Sequence, residues 1–397
     1  MITTTPESVG FCPTRLRRLD AMLQRYVDER EVAGLSAAVA RHGEVFYATS
    51  FGHRDIARGL PMTPDTICRL ASMTKPITSV ALMMLYEEGH FQLADPVHAF
   101  LPAFKDTMVH AGTRNRGHVL VPQNPEMNIK HLLTHTSGLS YGWYEDSPVD
   151  AMYRAKGRNL RSMGPDDAIE SLASLPLVSQ PGTRWRYSFS TDVVGCLVST
   201  ISGMPFDEYV AERIAKPLGM VDTGFCVPAE KVGRVATVYA QTDDGALVAS
   251  PVSQGDPTQR PSFPSGGGGL LSTLPDYMRF ARMLSNRGTL DDTRLLAPKT
   301  VDLMRINHLP QTLVPIAFDG EPKLGYGFGL GLRVLVDPAA AAKPGSLGNH
   351  GWDGAFETHF WIDPVEELVG IVMPQLAESN WRLPRDFEAM VYQAMVE

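Results

Sequence analysis

Hydrophobic residues recur at helical spacing near the start of the chain, and strand-like alternation follows directly. Between residues 15 and 30 the apolar positions that repeat every three or four residues are Leu16, Leu19, Met22, Leu23, Tyr26 and Val27. The next stretch, LSAAVARHGEVFYATSFG, has the alternation of two strands around the turn His42-Gly43. The pattern therefore predicts a helix over residues 15–30 and a β-hairpin after it.

The end of the chain shows the same kinds of pattern. Two strand-like segments, Ala355 to Ile362 and Leu368 to Met373, are joined through Asp363-Pro364, and roughly the last fifteen residues are again helical in spacing. A sheet must cover its apolar faces with other elements. The simplest arrangement pairs strands from both ends in one antiparallel sheet flanked by the two terminal helices.

The middle of the chain is predicted to be mostly helical. Helical spacing occurs near residues 77–88, 128–135, 165–175, 190–202, 206–216 and 275–287, with loops rich in Pro and Gly between them. We therefore expect an α+β fold in which residues 1–68 and 265–397 form a discontinuous sheet domain and residues 69–264 form a mostly helical domain. A site between the two domains is the natural expectation.

Composition and charge exclude several classes of function. The 397-residue chain has 44% hydrophobic and 20% charged residues and a formal net charge of −8, without the basic footprint that nucleic-acid phosphates or anionic membranes require. The start, MITTTPESVGFCPTRL, lacks the regions of a signal peptide, and no stretch approaches the roughly eighteen apolar residues of a spanning helix. We expect a cytoplasmic protein that binds neither nucleic acid nor membranes; its oligomeric state stays open.

A serine and a lysine stand three residues apart at the start of a helix-spaced segment. In RLASMTKPITSVALMMLYEEG these are Ser72 and Lys75, and three residues is nearly one helical turn, so the hydroxyl and the amine share a face. The tip of a helix also offers free N–H groups. Serine becomes a good nucleophile only when a base takes its proton, and an amine with an ordinary pKa near 10.4 can do so only if burial lowers that pKa. Lys75 is therefore predicted to be buried.

The four-residue pattern is weak alone, but its surroundings resemble a known family. RLASMTKP, HLLTHTSGL, PGTRWRYS, SGGGGLLST and WDGAFETHFWIDP occur in this order, as in the serine β-lactamase-like esterases related to class C β-lactamases, and the chain looks most like the family VIII carboxylesterases. The resemblance implies a class C β-lactamase-like fold, with an antiparallel sheet against a helical domain. It also implies that Ser72 is the nucleophile.

The resemblance extends to a tyrosine and to a strand near the end of the chain. Tyr187 matches the catalytic tyrosine of the family, while Phe189 stands where β-lactamases carry Asn. A neighbouring lysine should lower the pKa of this phenol, so Lys75 and Tyr187 are interpreted as one proton-sharing pair whose individual roles stay open.

The third motif of the family would supply the oxyanion hole. Trp352, Asp353 and Gly354 fit the W-x-G variant found in esterases, and by the resemblance the Ala355 N–H joins the Ser72 N–H as its two donors. The β-lactamase lysine of this triad is missing, which favours uncharged acyl groups. As further pocket walls we expect the aromatic residues Tyr141, Trp143, Tyr144 and Phe356.

Four other patterns have less favourable contexts. Ser140 lies in a G-x-S-x-G pentapeptide, but the preceding segment is helical where a nucleophile elbow needs a strand. Structural roles are expected for four histidines, namely His131, His135, His350 and His359. The run Gly266 to Gly269 lacks the lysine of a phosphate loop, so we expect it to make tight main-chain contacts instead. Buried free thiols are expected for Cys12, Cys68, Cys196 and Cys226. No metal or cofactor is implied.

These residues predict a serine carboxylesterase that hydrolyses small, short-chain esters through an acyl-enzyme on Ser72, with weak β-lactam cleavage as a side activity. An acyltransferase, a β-lactamase or a D-aminopeptidase would use the same Ser72, Lys75 and Tyr187. If Ser72 instead only caps a helix, the protein is a non-catalytic scaffold or binding protein.

Overall fold

A computed structural model describes residues 1–115, 117–157, 159–250, 255–318 and 320–397. Its α-helices are α1 (Pro13–Asp28), α2 (Thr74–Glu87), α3 (Ile129–Leu133), α4 (Pro148–Gly157), α5 (Pro165–Ala173), α6 (Ser190–Ser202), α7 (Phe206–Val210), α8 (Leu274–Ser285), α9 (Pro298–Met304), α10 (Pro338–Ala341) and α11 (Arg382–Ala394). Both predicted terminal helices and all six helical segments of the middle region are present. Helices α4, α9 and α10 are additions that the hydrophobic pattern did not indicate.

One antiparallel sheet contains strands from both parts of the chain. Its strands are β1 (Gly34–Arg41), β2 (Glu44–Asp55), β3 (Leu60–Pro61), β4 (Tyr326–Phe328), β5 (Arg333–Leu335), β6 (His350–Asp353), β7 (His359–Asp363) and β8 (Leu368–Pro374). They are ordered β4-β5-β6-β7-β8-β1-β2-β3, so that β1 pairs with β2 on one side and with β8 on the other. The predicted pairing of the two chain ends is confirmed.

Strand β1 is buried on both faces because helices cover each side of the sheet. On one face Val39 packs in an apolar cluster with Leu23 of α1 and Phe387 of α11. On the other face Ala38 belongs to a larger cluster that includes Val80 of α2. This second cluster runs without a break from the sheet into α6 and α8. The division into domains at residues 68 and 265 stays a prediction.

Several short strand pairs lie outside the main sheet. Cys68–Arg69 pairs with Leu271–Ser272, Val109–Arg114 with Gly117–Val121, Tyr239–Gln241 with Leu247–Ala249 and Leu376–Ala377, Thr289–Leu290 with Thr293–Arg294, and Ala317–Phe318 with Glu321–Pro322. None of the described helices combines the length and apolar character needed to cross a membrane.

The predicted strand from Ala355 to Ile362 begins four residues too early. Gly354 N–H donates to Thr358 O at 2.7 Å, and Glu357 has a φ of 65°, so residues 354–358 form a tight turn between β6 and β7. A residue other than glycine in the left-handed region is uncommon. The alternation of apolar residues alone could not reveal it.

Candidate active site

Ser72 lies where a short strand turns into α2. Leu70 N–H donates to Leu270 O at 3.0 Å, directly after the pairing of Cys68–Arg69 with Leu271–Ser272. Ala71 then adopts a φ of 45° and opens a single 3₁₀ turn that contains Ser72. An alanine in the left-handed region is strained, and such strain is typical of functional sites. The chain is thereby turned so that Ser72 faces a cavity just before the helix begins.

Lys75 is buried in the first turn of α2, as predicted. Its side chain is 1% exposed, and its Nζ lies at hydrogen-bond distance from Ser72 Oγ, 3.1 Å away, and donates to Gly267 O at 2.5 Å. Burial lowers the pKa of the amine to about 7, although the nearby Asp192 carboxylate opposes this shift. An amine with that pKa is about half neutral at pH 7, and the neutral form can accept a proton.

Tyr187 completes the group from the segment that precedes α6. Its side chain is buried, its ring centroid lies 4.5 Å from Lys75 Nζ, and its hydroxyl is hydrogen-bonded to Ser72. Trp352 Nε1 donates to the same hydroxyl at 3.2 Å. The structure thus brings the side chains of Ser72, Lys75 and Tyr187 into contact.

The protonation of Tyr187 differs from the sequence-based expectation. Burial raises the pKa of this phenol well above its ordinary value of 10, and the hydrogen bonds from Ser72 and Trp352 only partly offset that effect. A lysine that is charged only about half of the time at pH 7 provides less positive charge to stabilise a phenolate than an ordinary lysine. The phenol therefore keeps its proton, whereas the amine of Lys75 has the lower pKa of the two groups and can be neutral near pH 7.

Two backbone N–H groups border the cavity beside the serine hydroxyl. Ser72 and Ala355 both line this cavity, and neither of their N–H groups reaches a hydrogen-bond acceptor in the part of the chain that the structure describes. Gly354 allows the β6–β7 turn to lie close to the segment that precedes Ser72, because a Cβ on Gly354 would lie 2.2 Å from Leu70 O. Only glycine allows the β6–β7 turn to dock this closely before Ser72.

The cavity has a volume of about 130 Å³ and one aromatic wall. Tyr141 stacks on Trp143 with ring centroids 4.3 Å apart and meets the ring of Phe189 edge-on at 4.5 Å. Trp143 is 58% exposed and so lies at the mouth. The full lining consists of Ala71, Ser72, Tyr141, Trp143, Gly157, Leu160, Phe189, Asp192, Phe263, Ser265, Gly267, Gly268 and Ala355.

Two of the predicted aromatic walls are core residues instead. Tyr144 is buried beneath Arg186, whose guanidinium carbon lies 4.1 Å from the centre of the ring. Phe356 is buried in a small apolar cluster with Ala71 and Val238. Neither lines the cavity. Burial of an aromatic ring is favourable wherever apolar partners exist, so residue type alone did not distinguish walls from core.

Three further residues that were expected to bind substrate also lie outside the cavity lining, namely Trp352, Asp353 and Gly354. Trp352 is buried behind Tyr187, to which it donates its N–H. The Asp353 carboxylate is paired with Arg333 and with His359 Nδ1. Trp352 thus supports Tyr187 from behind, Asp353 is held by its own ion pairs, and Gly354 has no side chain to offer a substrate.

Asp192 is a cavity-lining residue that the sequence analysis missed. Its carboxylate Oδ1 accepts hydrogen bonds from Ser265 Oγ at 2.5 Å and from Gly267 N–H at 3.1 Å. The available signal was an acidic residue in the first turn of the helix that follows Tyr187, yet acidic residues are common in first turns because they complement the helix dipole. Asp192 becomes part of the site because the run Gly266 to Gly269 packs against it.

The glycine run makes the tight main-chain contacts that were expected of it. A Cβ on Gly266 would lie 2.5 Å from Thr191 O, and one on Gly267 would lie 2.4 Å from Asp192 Oδ2. Side chains at these positions would push the run away from the start of α6. The carbonyl that accepts from Lys75 therefore depends on glycine at position 267.

Ser140 has a structural environment. The side chain is fully buried, its Oγ donates to Asp150 Oδ1 at 2.6 Å, and it accepts from Arg186 Nε at 3.1 Å. It does not line the cavity. A hydroxyl held between a carboxylate and a guanidinium is not free to attack a substrate, in agreement with the low weight given to the G-x-S-x-G pattern.

The four histidines make separate contacts. His131 Nδ1 accepts from Asn128 N–H in a helix cap, His350 Nδ1 contacts Gly348 O, and His359 pairs with Asp353. His135 lies between Ser188 and Thr191, with its ring 4.9 Å from that of Tyr187. Among the cysteines, Cys68 and Cys196 are buried as expected, Cys12 is half-buried, and the expectation for Cys226 is wrong because this thiol is exposed.

Comparison with known proteins gives consistent relationships over nearly the whole chain. A sequence model of the family described as Beta-lactamase matches residues 19–395. Protein Rv1367c of Mycobacterium tuberculosis is 39% identical over 362 residues, which are 89% of this chain and 88% of that protein. Esterase EstB of Burkholderia gladioli is 35% identical over 385 residues, 92% of each chain.

A solved structure with the same architecture carries a functional description. EstCE1, described as a hydrolase with promiscuous acyltransferase activity, is 27% identical and superposes with a TM-score of 0.80. The alignment covers 96% of this chain and 98% of EstCE1. The expected class C β-lactamase-like fold is thereby confirmed.

Proposed function

Because this chain belongs to the Beta-lactamase family, we propose that it is a carboxylesterase that hydrolyses short-chain esters through an acyl-enzyme on Ser72. It is a serine hydrolase of that family, since related proteins are named esterase and acyltransferase. The observation that carries the finer proposal is the contact of a base and an acid with one nucleophile: Ser72 lines the cavity, and the buried side chains of Lys75 and Tyr187 are both hydrogen-bonded to it.

In the first step Ser72 Oγ attacks the ester carbonyl while its proton passes to Lys75 Nζ, 3.1 Å away. The carbonyl π-bond becomes a negative oxygen, for which the N–H groups of Ser72 and Ala355 are the proposed donors. Donors fixed in advance around a developing charge provide the largest single stabilisation in acyl transfer.

In the second step the tetrahedral intermediate collapses and the bond to the alcohol oxygen breaks. The protonated Tyr187 phenol gives its proton to the leaving alcohol and regains one from Lys75. The Nζ of Lys75 lies 4.5 Å from the centre of the Tyr187 ring. A water molecule then attacks the acyl-enzyme and loses a proton to the same pair, which passes it to Ser72 Oγ as the bond to the acyl carbon breaks and the acid leaves.

The cavity favours a small, uncharged acyl group. Its volume of about 130 Å³ holds only a few non-hydrogen atoms beyond the carbonyl. Its charged lining residue, Asp192, would repel a substrate carboxylate, and no lysine or arginine is found among the described lining residues. Phe189 adds apolar surface at the position where β-lactamases carry a polar amide.

Acyl transfer to an alcohol is the second candidate function. The description of EstCE1 as a hydrolase with promiscuous acyltransferase activity favours it, and the same three residues would carry the acyl group to either acceptor. Water and alcohol differ only in which nucleophile reaches the acyl-enzyme first. An added alcohol therefore distinguishes the two functions.

We expect the purified protein to hydrolyse p-nitrophenyl acetate and butyrate at least about tenfold faster, in kcat/KM, than the octanoate ester, because the cavity is short. Intact-mass measurement during turnover should show an acetyl adduct that peptide mapping locates on Ser72. A cephalosporin and a D-alanyl peptide serve as comparison substrates. If an alcohol is added, faster formation of free acetate than of the new acetate ester indicates hydrolysis. An acetyl adduct on a residue other than Ser72 would contradict the assignment of Ser72 as the nucleophile.

Replacing Tyr187 by phenylalanine should reduce kcat for an alkyl ester such as ethyl butyrate by about 10² to 10⁴-fold, because the leaving alcohol then lacks its proton donor; p-nitrophenyl esters, whose phenolate leaves without a proton, should lose less. KM should change little, since the ring remains. The matched control is Tyr209→Phe, which removes the hydroxyl of a fully buried tyrosine that lies outside the cavity and has no hydrogen-bond partner in the described chain. Equal activity of both variants would rule out an acid role for Tyr187.

A further inference from the structure

Asp192 is a buried carboxylate in the cavity wall to which the proposed mechanism gives no task. Its side chain is 3% exposed and lies in the first turn of α6. A buried carboxylate is costly unless hydrogen bonds and charges compensate it. Besides the bonds from Ser265 and Gly267 to Oδ1, the Tyr141 hydroxyl lies 3.5 Å from Oδ2. Its partners therefore all belong to the cavity wall.

Gly267 connects this carboxylate to the amine of Lys75. The N–H of Gly267 donates to Asp192, and the carbonyl of the same residue accepts from Lys75 Nζ at 2.5 Å. Gly267 has no room to shift towards α6, since even a Cβ would overlap the Asp192 carboxylate. The position of the carbonyl that binds the amine thus depends on Asp192.

The carbonyl matters because a neutral amine has two hydrogens and one lone pair. When Gly267 O holds one N–H of Lys75, the lone pair can point at Ser72 Oγ, which is 3.1 Å from Nζ. Without that acceptor the amine could rotate and present a hydrogen to the serine instead. A fixed orientation of the reacting groups is a large part of catalysis.

The charge of Asp192 acts on the same amine. The rings of Tyr187 and Tyr141 lie 4.5 Å and 5.4 Å from Nζ, and burial lowers the pKa of the neighbouring His135 well below its usual value, so this imidazole is neutral. Asp192 therefore provides the opposing charge: it raises the pKa of Lys75, which burial brings down to about 7. A much less basic amine would be a weaker acceptor for the serine proton.

We propose that Asp192 is a positioning residue for the acylation step, which anchors Gly267 so that Lys75 directs its lone pair at Ser72. Asp192 itself neither gives nor takes a proton. This role rests on the proposed function of Ser72 and Lys75.

The test is the pH dependence of kcat/KM for p-nitrophenyl acetate. In the parent, activity should rise with pH through about 7, because the base must be neutral. Asp192→Asn keeps the shape and an acceptor oxygen but removes the charge, so the midpoint of this rise should fall by about one pH unit. Asp192→Ala also removes the anchor, so its plateau kcat should fall about tenfold or more with KM within about twofold.

A matched control is Asp276→Asn, which removes a carboxylate that is equally buried but bonded to Asp222 N–H and Thr223 outside the cavity. Its midpoint should coincide with that of the parent. Near-UV circular dichroism verifies folding, and either Asp192 variant alone suffices if the other is unfolded. An unshifted midpoint in Asp192→Asn, or parental kcat in Asp192→Ala, would overturn the positioning role. Full activity of Ser72→Ala would overturn the proposed function instead.

Discussion

Replacing Ser72 by alanine is expected to lower kcat for a short acyl ester by about 10⁴ to 10⁶-fold, the usual cost of losing the nucleophile of a hydrolase. The acyl-enzyme cannot form, so the acetyl adduct should also be absent from the intact-mass spectrum. The serine lies in a short 3₁₀ turn and makes its side-chain hydrogen bonds with Lys75 and Tyr187. The fold should therefore tolerate the change.

Ser79 offers the matched control because it lies on α2, in the helix that follows Ser72. It is fully buried, and its Oγ has no hydrogen-bond partner within the described residues. Ser79→Ala should retain parental turnover and adduct formation. Residual activity of Ser72→Ala above about one part in a hundred of the parent would mean that another residue forms the covalent bond.

Replacing Lys75 by methionine should abolish turnover and stabilise the protein at the same time. Loss of the general base should reduce kcat by at least about 10³-fold. Stability should rise because folding moves an amine with an ordinary pKa of 10.5 into a site where burial lowers that pKa to about 7. At neutral pH this costs on the order of 4 kcal/mol, only part of which is offset by the hydrogen bond to Gly267 O.

The pH dependence of the stability difference identifies its cause. The folded-state pKa lies below the unfolded one, so the unfolded state binds the extra proton between about pH 7 and 10.5. The advantage of Lys75→Met over the parent should be full below pH 7 and shrink as the pH rises towards 10. Chemical unfolding at several pH values measures this difference. An exposed control, Lys216→Met, should show neither the loss of activity nor a pH-dependent gain, and an equal gain at all pH values in Lys75→Met would contradict a depressed pKa.

The large elements were predictable because their patterns are local. The spacing of Leu16, Leu19 and Leu23 determines the buried face of α1, and the alternation after residue 34 determines the hairpin. The Ser72 and Lys75 pair could also be placed at a helix start, because its spacing is nearly one turn. These features depend on residues within a few positions of one another.

The missed features depend on neighbours that are distant in sequence. Tyr141 and Tyr144 are three residues apart, yet one lines the cavity and the other lies beneath Arg186. Asp192 belongs to the site only because a glycine run more than seventy positions later packs against it. Whether the pKa of Tyr187 is raised or lowered likewise depends on how far the assembled fold excludes water from the phenol.

The pairing of β1 with β8 constrains how this chain can be made. Leu35 is aligned with Pro374, and Arg41 with Leu368. Strand β1 therefore cannot form this pairing until β8, more than three hundred residues later in the chain, has left the ribosome. During that interval β1 exposes an open edge to solvent or to chaperones. The sheet therefore cannot be completed before β8 has been synthesised, and premature termination before β8 would leave β1 with an unpaired edge.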